Sequence, residues 1–238
     1  MARTIIIGDV HGCADELARL LDGLAVGADD RVFFVGDLVA RGPSSLGVLD
    51  LYREVRGRSV LGNHEWRLLE AHRARSSGQR RPRLAAPDYA LLHQLREQDW
   101  QLLAELPAFL LVPEQRLCIV HAGLQPDLAV DVQDVWTLTH TRSIDAAGKP
   151  SERNELDSWA LRYRGGPHVV FGHNSRLGLQ LQPFATGLDT GCVYGGELSA
   201  LVLPAQDEVP MDLEQRRQLV RSVPAARRYY AGKSGSPA

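Results

Sequence analysis

Short apolar runs alternate with amphipathic stretches along most of the chain. Thr4–Val10 reads as a buried strand, and Asp15–Leu24 as a helix with leucines at 17, 20, 21 and 24 on one face. Arg31–Leu38 is a second strand, and Pro43–Val55 a helix with Pro43 and Ser44 at its start. Arg58–Leu61 reads as a third short strand and Glu65–Ala74 as a helix, so the first third predicts an α/β layered sheet. The middle is more helical, over Asp88–Glu97 and Trp100–Leu106. Strands return at Leu117–Val120, His168–Phe171, Leu188–Thr190 and Leu198–Leu203, separated by glycine-rich turns. No internal repeat is visible. The pattern predicts a single domain over residues 1–224 and a flexible tail over 225–238.

Composition narrows this only a little. With 238 residues and 44% hydrophobic content, the chain can build one sizeable core. Its 27 Lys and Arg against 29 Asp and Glu give a net charge of −2, which does not point to a generic binder of nucleic acid or membranes. The apolar run near Met1 is too short for a signal peptide, and no stretch approaches the ~20 apolar residues of a membrane span. Cys13, Cys118 and Cys192 are widely spaced in apolar surroundings and are expected to be buried thiols. A cytoplasmic location is the matching expectation.

The chemistry sits where the strands end. Gly8-Asp9-Val10-His11-Gly12 closes the first and Gly36-Asp37 the second. Gly62-Asn63-His64-Glu65 closes the third, His121-Ala122-Gly123 the fourth and Gly172-His173-Asn174 the fifth. In an open α/β sheet, ligands bind at the carboxyl ends of strands. Asp9, His11, Asp37, Asn63, His121 and His173 therefore converge as a coherent set of metal ligands. Asp9 and His11, two apart on an extended segment, would point to the same side. Singly, each of these residues more often caps a turn or fills a core. Five strand ends of one composition are hard to obtain by chance. Two carboxylates, three imidazoles and one amide suit Mn, Fe, Co, Ni or Zn better than Mg or Ca. They are about enough for two ions roughly 3.5–4 Å apart that share one carboxylate. Two divalent ions against two carboxylates leave net positive charge, which favours a phosphate ester or anhydride.

In this order, GDVHG (8–12), GDLVARG (36–42), GNHE (62–65), HAG (121–123) and GH (172–173) resemble the phosphoprotein phosphatase branch of the calcineurin-like metallophosphoesterases. The resemblance spans about residues 4–203. It implies a two-sheet β-sandwich flanked by helices, with two divalent metal ions, Mn2+ foremost. Asp9 and His11 would hold the first ion, and Asn63, His121 and His173 the second. Asp37 would bridge both, and His64 would protonate the leaving oxygen. Arg41 would grip a substrate phosphate, with Asn63, Arg142 and Tyr194 as further residues at the substrate.

Ala40 departs from the protein phosphatases of this branch, which carry an aspartate there to pair with the catalytic histidine. GDLVARGP instead resembles the symmetrical diadenosine tetraphosphatases. Those enzymes typically read GNHD where this chain has Glu65, and they are longer in the middle. Residues 171–204 look more like the shorter tetraphosphatase-like phosphatases. The expected activity is therefore hydrolysis of a phosphoanhydride, with diadenosine tetraphosphate cut symmetrically into two ADP. A leaving nucleoside diphosphate leans less on a strong general acid than a serine alkoxide does. The alternatives are a serine/threonine or tyrosine protein phosphatase, or a phosphatase of RNA 5′ ends or polyphosphate. Arg73, Arg75, Arg80, Arg81 and Arg83 form either a solvated loop or an electrostatic funnel for polyphosphate. Asp189-Thr190-Gly191 is read as a strand-end turn. Trp66, Trp136 and Trp159 are read as packing residues rather than base-stacking platforms.

Overall fold

The computed structural model describes residues 2–77, 82–153, 157–204 and 206–231. The first half holds β1 (Arg3–Ile7), α1 (Ala14–Gly23), β2 (Arg31–Phe34), α2 (Ser45–Glu54), β3 (Arg58–Ser59), α3 (Asn63–Ser77), α4 (Ala86–Gln94) and α5 (Glu97–Ala104). The second half holds β4 (Phe109–Val112), β5 (Leu117–Val120), α6 (Val135–His140), β6 (Ser143–Ile144), β7 (Pro150–Ser151), β8 (His168–Phe171), β9 (Gln180–Gln182) and β10 (Ala185–Gly187). It closes with β11 (Glu197–Pro204), α7 (Leu213–Gln218) and β12 (Val220–Pro224).

Two five-stranded sheets form, ordered β12-β11-β1-β2-β3 and β4-β5-β8-β10-β9. Within the first, β1, β2 and β3 run parallel, and within the second β5, β8 and β10 do. Alternation along the strands decides what each face meets. Ile6, Phe33, Val35, Leu117, Ile119 and Val170 point between the sheets into one cluster. Ile5, Ile7, Val32 and Phe34 point out onto the helical layer with Leu17, Leu49, Leu68, Leu91 and Leu103. Cys118, Val120, Val169 and Phe171 point the opposite way, onto Leu124, Leu138, Ile144 and Trp159. The result is a two-sheet sandwich flanked by helices. The carboxyl ends of β1, β2, β3, β5 and β8 share one rim.

The departures from the sequence reading are local. β1 stops at Ile7, so Asp9 and His11 lie in a turn and not on an extended strand. Their convergence comes from loop geometry, with His11 at φ 48°. The helix expected from Glu65 begins at Asn63, which places Asn63 and His64 in its first turn. The strand expected at Leu188–Thr190 is instead Ala185–Gly187, and 188–190 continues past its end. Strands β4, β9 and β12 were not expected. The tail expected from Ala225 does not fray at once. The Tyr229 and Tyr230 N–H groups both donate to the Val193 carbonyl, and the Ala226 N–H and Tyr229 hydroxyl both donate to Glu16 Oε1. Residues 232–238 lie outside the described residues.

Candidate active site

Backbone geometry builds the rim first. The N–H groups of Val10 and His11 donate to the Asp37 carbonyl at 3.2 and 2.8 Å, and the Gly12 N–H to Leu38 O at 2.9 Å, tying the β1 loop to the β2 loop. His11, Asp37, Ala40, Arg41 and His173 all adopt left-handed backbone, five of the nine such non-glycine residues described. Each costs on the order of 1 kcal/mol and persists only where the surroundings fix it. A Cβ at Gly172 would overlap Asp9 Oδ1, and one at Gly62 would overlap Asp37 Oδ1, so glycine there admits the carboxylates.

Asp37 lies at the centre. Its Oδ1 accepts from the His64 N–H at 3.0 Å, while Oδ2 sits 3.3 Å from His11 Nε2 and 3.5 Å from His121 Nε2. His121 Nε2 lies 3.1 Å from Asn63 Oδ1 and 3.1 Å from His173 Nδ1. Asp9 accepts the His173 N–H at 3.1 Å through Oδ2, which ties the first strand's loop to the fifth's. All six side chains predicted as ligands are buried. At this rim two groups could each hold a metal ion, His11-Asp37-His64 and Asp37-His121-His173, and they share Asp37.

The donor chemistry fits cations. His121 Nδ1 lies 2.9 Å from the Val35 carbonyl, so it carries the proton there and leaves Nε2 as a lone pair. That lone pair faces the amide oxygen of Asn63, the Asp37 carboxylate and His173 Nδ1. Acceptors turned toward one point are the arrangement a divalent ion satisfies. His11 follows the same logic, with Nδ1 against Val39 O at 3.3 Å and Nε2 toward Asp37. Burial first, then the Arg41 charge, lowers the His11 pKa to about 3, and burial likewise lowers His121, His64 and His173. The imidazoles are thus neutral, the form in which a histidine can bind a metal. Burial, with Asp189 and Asp37 nearby, raises Asp9 well above the carboxylate range. Asp37 goes the other way: burial opposes its ionisation, but His121, His64, His11 and Arg41 surround it and prevail.

The residues expected at the substrate divide by side. Arg41 Nη1 donates to His11 Nε2 at 2.7 Å, and its guanidinium lies 5.6 Å from the Tyr194 ring and 5.7 Å from that of Tyr230. Arg142 belongs to the other side, where its charge depresses the basicity of His121 and His173. His64 stands with its ring 4.9 Å from that of His11, and its buried Nε2 has no hydrogen-bond partner among the described residues. Ala40 is buried and supplies no carboxylate to it.

Three residues were not legible as site residues. Glu65 is fully buried; it accepts the N–H groups of Asp37 (2.9 Å), Val39 (3.1 Å) and Gly62 (3.1 Å), and so sets the position of the central carboxylate. Burial and the Asp37 charge raise its pKa, and the backbone N–H groups it accepts oppose this by favouring the carboxylate. Asp189 accepts the Gly191 N–H at 3.1 Å, burial raises it to about 6, and its charge adds to the rise at Asp9. Tyr230 comes from the segment expected to fray. Of the arginine loop, Arg73 and Arg75 belong to α3, and Arg75 donates to the Leu92 carbonyl. Arg80 and Arg81 lie outside the described residues. Cys13, Cys118 and Cys192 are buried free thiols, as expected.

The profile of the calcineurin-like phosphoesterase family matches residues 2–180. The chain is 31% identical to the bis(5′-nucleosyl)-tetraphosphatase PrpE [asymmetrical] of Halalkalibacterium halodurans, over 88% of this chain and 94% of that protein. It is 41% identical to the symmetrical bis(5′-nucleosyl)-tetraphosphatase of a Shewanella species, over 53% of this chain and 46% of that one. A crystal structure assigned provisionally as a diadenosine tetraphosphatase superposes with a TM-score of 0.80 at 35% identity, covering 94% of this chain and 93% of the other. A yeast protein serine/threonine phosphatase shares the fold at 17% identity and a TM-score of 0.58. With its sandwich, its rim of histidines and carboxylates and the matched profile, the chain belongs to the calcineurin-like phosphoesterase family.

Proposed function

We propose that this phosphoesterase hydrolyses the phosphoanhydride chain of a dinucleoside tetraphosphate, cutting diadenosine tetraphosphate symmetrically into two ADP. The observation that carries this reading is His64. Its buried Nε2 has no partner among the described residues, and Ala40 provides no carboxylate to orient it or raise its basicity. A histidine so placed suits a leaving group that departs without full protonation, and a nucleoside diphosphate is one.

Asp9 and His11 on one side, and Asn63, His121 and His173 on the other, would hold two divalent ions, Mn2+ foremost, with Asp37 between them. Such ions supply Lewis acidity toward the phosphate oxygens and the attacking water. The chain supplies the rest. Arg41 and Arg142 bind and orient phosphate oxygens through charge-assisted hydrogen bonds. Glu65 fixes the Asp37 backbone, and the neutral His64 would offer Nε2–H as a hydrogen-bond donor to the leaving oxygen, which departs as the nucleoside diphosphate anion.

Asymmetrical cleavage into ATP and AMP is the second reading, favoured by the names of the relatives that match over most of their length. Product analysis decides between them. The purified, Mn-loaded protein is incubated with diadenosine tetraphosphate and the nucleotides are separated. ADP alone supports the symmetrical cut, and ATP plus AMP the asymmetrical one. No turnover beside brisk phosphopeptide hydrolysis would sink both.

A further inference from the structure

Of the four tryptophans, Trp100 and Trp159 are buried, and Trp159 Nε1 donates to the Ala122 carbonyl. These two are packing residues. Trp136 is not, being 40% exposed. It lies one turn before His140 on α6, and the two rings are parallel within 3° at 5.5 Å. Trp66 meets the same His140 ring edge-on at 5.4 Å. The His140 ring is pinned by the Thr139 hydroxyl at 2.8 Å, which itself donates to the Val135 carbonyl. The aromatic group is thus preorganised on the surface.

It is also continuous with the metal-ligand rim at two points. Trp66 follows Asn63 by three residues, so both lie on one side of α3, about 4.5 Å apart along its axis. The Leu138 carbonyl of α6 accepts the N–H of Ala122, the neighbour of His121. Two cations lie on the same elements: Arg67 follows Trp66 on α3, and Arg142 follows His140 by two residues.

We propose that Trp136 and His140, backed edge-on by Trp66, form a stacking platform for the base of one nucleoside of the substrate. The platform rests on the dinucleotide reading above and names the subsite that recognises its nucleoside end. Trp136 keeps 40% of its surface exposed although one side is stacked on His140, and base stacking on an aromatic is worth about 1–3 kcal/mol by alanine substitution.

The test compares ADP, which carries a base, with inorganic pyrophosphate, which does not. Both are titrated calorimetrically into the Mn-loaded full chain. Trp136→Ala is expected to weaken ADP binding about tenfold, in line with one lost stack, and to leave pyrophosphate within twofold. Trp136→Phe is expected to recover most of the ADP affinity. Equal losses for both ligands, an unchanged ADP affinity, or a wild-type protein with no preference for ADP over pyrophosphate would each overturn the platform. Dinucleotide turnover does not enter this comparison. An enzyme that binds ADP through Trp136 but leaves diadenosine tetraphosphate intact would refute the proposed substrate and keep the subsite.

Discussion

At the scale of single residues, the centre depends on Asp37, the one side chain shared by both ligand groups. Asp37→Asn keeps the size of the side chain and removes its charge. Loss of an outer partner of a metal site costs ~10–100-fold, so loss of the shared carboxylate should cost well beyond that. Metal content and turnover of a chromogenic phosphate ester measure it, and near wild-type turnover would refute the shared-ligand geometry. Ala40→Asp probes the opposite change. Position 40 has φ 73°, a conformation that aspartate tolerates better than most residues, so the fold should accept it. If the absent carboxylate sets the preference for anhydrides, the ratio of monoester to anhydride turnover rises in this variant; an unchanged ratio would refute the link. The six residues proposed as ligands were legible because motif and spacing announce them. Glu65 and Asp189 were not, because a carboxylate's role here follows from burial and from which N–H groups it meets, and a one-dimensional pattern carries neither.

At the scale of elements, the loops between strand and helix carry the site, and Glu65 is the brace that holds two of them. Glu65→Gln turns an amide N–H toward backbone donors and leaves at least one of three N–H groups unsatisfied in a buried place. The expected cost is about 1–3 kcal/mol in urea denaturation, with kcat falling as Asp37 shifts. A stable, fully active variant would show that the brace is dispensable. A second brace sits at the far end of β1, where Arg3 Nε and its N–H both donate to Asp30 Oδ1. Hydrogen bonding to Arg3 lowers the Asp30 pKa to about 2, below its ordinary 3.8. A depressed carboxylate pKa stabilises the fold above the ordinary value, and that contribution is lost as pH falls through the folded one. The pair is partly exposed, so Asp30→Asn should cost under ~1 kcal/mol at neutral pH. Denaturation at stepped pH should show the deficit shrinking from pH 4 toward 2; a deficit that grows on acidification would reverse the assignment. Strands with three or more consecutive buried apolar residues, such as β1, β2, β5 and β8, could be read directly. β9 and β12 could not: Gln180–Gln182 and Val220–Pro224 are half polar and become strands only by pairing with β10 and β11.

At the scale of the whole molecule, the chain's last described residues return to its first helix and to the active-site rim together. Arg-Arg-Tyr-Tyr carries no apolar period, so the sequence offered no reason to expect order there. The reason is a partner 213 residues away: Glu16, fully buried on α1, whose Oε1 accepts from both the Ala226 N–H and the Tyr229 hydroxyl at 2.9 Å. A buried carboxylate needs donors, and a C-terminal segment that supplies them is held in place by that need. The next residue, Tyr230, then reaches Arg41 and Tyr194. A double-mutant cycle separates this link from general packing. Tyr229→Phe removes one donor to a charged group and should cost about 1–2 kcal/mol against an intact Glu16. Against Glu16→Gln, whose neutral side chain demands less, the same change should cost distinctly less. Equal costs in both backgrounds would mean that the hydroxyl does not stabilise Glu16. If the coupling holds, Tyr230→Ala should raise KM for the phosphate substrate several-fold with little change in unfolding, because it frees Arg41 while the Glu16 anchor stays intact. A loss of stability without a KM change would confine the C-terminal segment to a structural role.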